Sequence, residues 1–68
     1  MTLVTGYFIQ RDGWKGWEDV PAHVLEHVGH KPNPYLDINH AQAALDAAEA
    51  FGDLRYRLVG RPVSINQE

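Results

Sequence analysis

The stretch N-H-A-Q-A-A-L-D-A-A-E-A-F-G, Asn39 to Gly52, carries agreeing signals for a helix at its start, interior and end. Asn39 is a favoured N-cap, Gln42 stands three residues on as in a capping box, and Ile38 is placed to pack over the first turn as a staple. The interior is rich in alanine and free of proline and glycine, which intrinsic propensity favours. Gly52 follows the last periodic residue, where a left-handed C-cap costs glycine nothing. Ala41, Ala44, Leu45, Ala48 and Phe51 recur at three- and four-residue spacings and form one apolar stripe, with Asp46 and Glu49 pointing elsewhere. Most of that stripe is alanine, so whatever packs on it comes close to the helix axis.

Before this helix, Leu3 to Arg11 is rich in β-branched and aromatic residues and runs into Asp12-Gly13, a favoured two-residue hairpin turn. Trp14 to Asp19 reads as the return strand, an edge strand weakened by Gly16. Trp14 and Trp17 are three apart, so a regular strand sends them to opposite faces and only a bulge near Gly16 brings them together. Pro21 opens a short helix through Val28, with Asp19 near its cap and Gly29 ending it. His30 to Tyr35 contains two prolines and reads as a tight loop. After the main helix, Leu54 to Val59 alternates as a strand, with Leu54, Tyr56 and Leu58 inward and Arg55 and Arg57 outward. Gly60 to Pro62 interrupts it, and residues 63–68 either extend the strand or form a flexible tail.

These elements define an α+β class, a single small domain over residues 1–68 of β-β-(α)-α-β form. A strand, a helix and a strand in succession favour a right-handed crossover, which lays the last strand parallel to the first in a three-stranded sheet of order 2-1-3. One main helix covers one sheet face and leaves the other open.

A chain of 68 residues buries roughly 60% of its unfolded surface, a size at which partners or self-association, a homodimer included, add useful stability. There is no cysteine, so neither disulfides nor thiolate metal sites contribute. The formal charge of -3 argues against general affinity for nucleic acid, which needs a basic face. No apolar run approaches the ~20 residues that cross a bilayer, and the N-terminus lacks the pattern of a signal peptide. The expected setting is cytoplasmic.

His23 to His27, H-V-L-E-H, resembles the H-x-x-E-H arrangement of inverted zinc peptidases, in which two histidines on one helical face hold the metal and Glu26 would stand as base. The likeness covers these five residues, whereas such enzymes draw a further carboxylate from a distant helix in far longer chains, so the expectation is no catalytic residue and no cofactor. Among histidines, His23, His27 and His30, with His40 or Asp37 beside them, are the metal-ligand candidates, and without thiolates three or four of them must converge. For partner binding the candidates are Trp14, Trp17, Arg55 and Arg57, with Arg61 continuing the arginine series. Arginine suits phosphate or an acidic partner, and one of the two tryptophans is expected to cap the core while the other faces a partner. Trp14 and Trp17 beside Lys15 also suggest a stacking platform for single strands, against the acidic balance of the chain.

The order of a hairpin with D-G-W at its turn, a loop, an Ala-rich helix and a closing Y-R-L-V strand resembles short accessory proteins encoded by bacteriophages and other mobile elements. That resemblance implies a protein that binds and inhibits a host factor. The expected function is a non-enzymatic binding module that occupies a site on another protein. The alternatives are a small zinc-binding protein using His23, His27 and His30, and a weak nucleic-acid binder.

Overall fold

The computed structural model describes residues 2–52 and 54–65. Strands β1 (Thr2–Gly13) and β2 (Gly16–Asp19) are followed by helices α1 (Ala22–His27) and α2 (Ile38–Phe51) and by strand β3 (Tyr56–Ile65). The sheet has the order β2-β1-β3, and both pairings are antiparallel, Gln10 facing Asp19 on one side and Arg57 on the other. The order is as expected; the direction of β3 is corrected. The crossover rule applies to the strand that enters the helices, and that strand is β2, not β1. Since β2 and β3 each run opposite to β1, they are parallel to one another, and the two helices connect them across β1.

The hairpin also turns later than the Asp12-Gly13 dipeptide suggests. Trp14 and Lys15 form the turn, Gly13 pairs with Gly16, and Asp12 pairs with Trp17. Among the described residues none other than glycine has a positive φ, and Gly16 takes φ 109 just after the turn. The left-handed position demanded by a turn of this kind therefore falls on Gly16, which has no Cβ to clash.

Residues on β1 alternate between two environments. Ile9 and Tyr7 face the helices and join Val20, Leu25, Tyr35, Ala41, Ala44 and Leu45 in one core, with Val24, Tyr56 and Leu58 packed around it. Ala41, Ala44 and Ala48 of α2 are fully or nearly fully buried, as a close approach of helix to sheet requires. Phe51, expected to continue that stripe, is instead 76% exposed, and Leu54 ahead of β3 is 46% exposed. At the start of α2 the cap is Asp37, whose carboxylate accepts from the Asn39 N–H at 2.8 Å, and Ile38 is already helical. Asn39 is therefore not the cap, and Gln42 donates to Asp46 one turn on and completes no capping box. Gly52 is extended, with φ -102, and its reason is proximity: a Cβ there would collide with the Tyr56 ring and hydroxyl.

Helix α1 spans one residue less at each end than expected, with Pro21 as its N-cap, and Gly29 closes it at φ 84. The following loop stands in for a strand. Tyr35 exchanges backbone hydrogen bonds with Tyr7, and the Asn33 side chain both accepts from the Ile9 N–H and donates to its carbonyl. Tyr35 is buried, its hydroxyl donates to the Lys31 carbonyl, and burial pushes its pKa up. Strand β3 runs unbroken through Gly60-Arg61-Pro62 to Ile65, so residues 63–65 extend the strand, while residues 66–68 of the expected tail lie outside the described residues. No helix among the described residues is long and apolar enough to cross a membrane.

Candidate functional site on the open sheet face

Both helices lie on the Ile9 side of the sheet, since Leu25 of α1 shares the core with α2 and Ile9. The opposite face is built from Val4, Gly6, Phe8 and Gln10 of β1, Trp17 and Asp19 of β2, and Arg57, Val59, Arg61 and Val63 of β3, which the register sets side by side. Gly6 makes room there, because a Cβ would come within 2.9 Å of the Val63 methyls and 3.3 Å of Pro34.

Two arginines lie over two aromatic rings on this face. The Arg57 guanidinium carbon is 4.3 Å from the centroid of the Trp17 ring, and that of Arg61 is 3.9 Å from the centroid of Phe8. Polar side chains lock the stacks in place. Arg57 Nε donates to Gln10 Oε1 at 2.9 Å, Gln10 Nε2 donates to Asp19 Oδ1 at 3.0 Å, and Arg61 Nη2 donates to both Asp19 oxygens at 3.0 and 2.9 Å. Desolvation pushes the Asp19 carboxyl up, but the hydrogen bonds from Gln10 and Arg61 and the Arg61 charge outweigh it and hold its pKa below the ordinary value. Among the described residues Arg61 has a carboxylate partner, whereas the terminal nitrogens of the exposed Arg57 make no hydrogen bond.

Of the partner-binding candidates, Trp17 and Arg57 are brought into contact. Trp14 stands apart at the hairpin tip, 90% exposed, with Lys15 Nζ 5.1 Å from its ring centroid. Neither tryptophan caps the core, for Trp17 is 39% exposed on the open face. Arg55 precedes β3, exposed, and is fixed through its carbonyl, which accepts from the Asp12 N–H. Phe8, Gln10 and Asp19 were not among the candidates. Only the cross-strand register links them to the arginines, and no spacing within one segment carries that link. Asp19, expected near the cap of α1, is committed to the sheet face.

The histidine segment behaves differently. His23 and His27, one turn apart on α1, line an apolar cavity of about 330 Å³ together with Val24, Ala48, Phe51 and Tyr56. His30 does not join them there, and Asp37 is occupied in capping α2. Among the described residues no three histidine or acidic side chains come together to hold a metal ion. Comparison with family models, curated proteins and solved structures gave no match.

Proposed function

We propose that this chain is a non-enzymatic binding module that acts by occupying a site on another protein, in the cytoplasm, as an inhibitor of a host factor of the sort bacteriophages and mobile elements encode. The observation that supports this reading is the open face itself, where Arg57 and Trp17 lie in contact, fixed by Gln10 and away from the helices. Arginine and tryptophan are the side chains that most often dominate interface energies, and a rigid stacked pair loses less entropy on binding than two free side chains. The guanidinium of Arg57, whose terminal nitrogens have no partner among the described residues, suits a carboxylate on the partner.

The test begins with capture of a protein by the parent chain, its identification by mass spectrometry, and calorimetric titration of the purified partner. Arg57→Ala and Trp17→Ala should each weaken that binding by about 2 kcal/mol or more, with thermal midpoints close to the parent's. Arg55→Ala should have a smaller effect. Parent-like binding by both variants would remove the open face from the interface.

A further inference from the structure

Among the described residues, strand β3 has one side that no strand covers, and its chemistry specifies what would pair with it. Tyr7 and Ile9 of β1 turn their backbone groups away from β3, toward Tyr35 and Val20. In an antiparallel ladder, residues opposite such positions turn outward as well. The outward residues of β3 are therefore Tyr56, Leu58, Gly60, Pro62 and Ser64, facing Arg11, Ile9, Tyr7, Thr5 and Leu3. Pro62 fits this assignment, because its missing N–H falls where no ladder bond is needed. Among the described residues no backbone partner meets these outward groups. Tyr56, Leu58 and Gly60 form the continuous stretch with both N–H and C=O on offer.

The charged side chains in and just before β3 are all cationic. Three of the four arginines of the chain, Arg55, Arg57 and Arg61, stand in or just before β3, although the net charge is -3. A second copy is disfavoured by that spacing. Antiparallel self-pairing centred on Leu58 sets Arg55 opposite Arg61, and pairing centred on Val59 sets Arg57 opposite Arg61; like charges directly opposite are destabilising. An acidic strand meets the reverse situation, since its alternate side chains would lie beside Arg57, which has no carboxylate partner among the described residues, while its backbone pairs with Tyr56 to Gly60.

We infer that the free edge of β3 takes an extended acidic segment of a partner protein as a fourth strand. This rests on the reading of the chain as a binding module and adds the partner's chemistry and its mode of attachment. The probe is a peptide of about seven residues, the usual strand length, alternating Glu and Thr, compared with its Lys-Thr counterpart and with a Glu-Thr peptide N-methylated at every second residue. The expected result is salt-sensitive binding of the Glu-Thr peptide alone, slowed amide exchange at Tyr56, Leu58 and Gly60, and binding roughly tenfold weaker in Arg57→Ala. Equal binding of the N-methylated peptide, equal binding of the Lys-Thr peptide, or absence of binding would each overturn the inference. The two readings separate cleanly. If the captured partner is lost in Arg57→Ala and Trp17→Ala while the three amides stay unprotected, the open-face interface stands and strand addition falls.

Discussion

Asp19 is a carboxylate whose ionised form is stabilised by groups from two other strands, Gln10 on β1 and Arg61 on β3. Its folded pKa lies below the ordinary value, so the unfolded chain binds the proton more tightly. The contribution is fully present above the ordinary aspartate pKa and is lost as the pH falls through that value toward the folded one. Because the pair is exposed, the effect on stability is small. The expected outcome is a thermal midpoint that declines in this acidic window more steeply in the parent than in Arg61→Gln, measured by melts at matched ionic strength. Identical slopes would show that Arg61 does not hold the carboxylate in solution. At this scale the sequence is informative about residue type and silent about partners: Arg57 and Trp17 stand out as binding residues, but that they touch depends on the hairpin register. Gly16, three residues beyond the dipeptide that suggested the turn, sets that register.

Helix α2 shows how far periodicity reaches. Its type, length and alanine stripe are legible because they follow from local spacing, and Ala41, Ala44, Leu45 and Ala48 are all buried. Its ends are less so. Asp37 displaces Asn39 as cap because an aspartate two residues earlier reaches the same first turn, and Phe51, in the last turn, is exposed at the rim of the cavity beside His23 and His27. Leu45 is the one large side chain of the stripe in the core, so Leu45→Ala should cost roughly 2 to 5 kcal/mol and lower the denaturation midpoint accordingly. A midpoint matching the parent's would mean that the helix does not pack through this face. The direction of β3, by contrast, could not be read from its own residues, since Tyr56 and Leu58 point inward in a parallel or an antiparallel strand alike.

For the molecule as a whole, one sheet serves two purposes: its Ile9 side holds the core and its Phe8 side displays the stacked arginines. Stability is assigned to packing, so the protein should keep its thermal midpoint and remain monodisperse in excess chelator, checked by scanning calorimetry and light scattering. Unfolding on chelation, together with near-stoichiometric zinc that is lost in His23→Ala and His27→Ala, would instead make the histidine segment structural. The pairing of β1 with β3 has a further consequence, for synthesis. It joins residues 2–11 to residues 56–65, so the most extensive ladder closes the largest loop in the fold. A nascent chain on the ribosome carries β1 without its main partner until β3 has emerged, and the central strand of the sheet spends that interval with an unsatisfied edge. Folding is thus held back until β3 is available, and a chain arrested before Tyr56 should be cleaved by protease at concentrations that leave the chain carrying β3 intact.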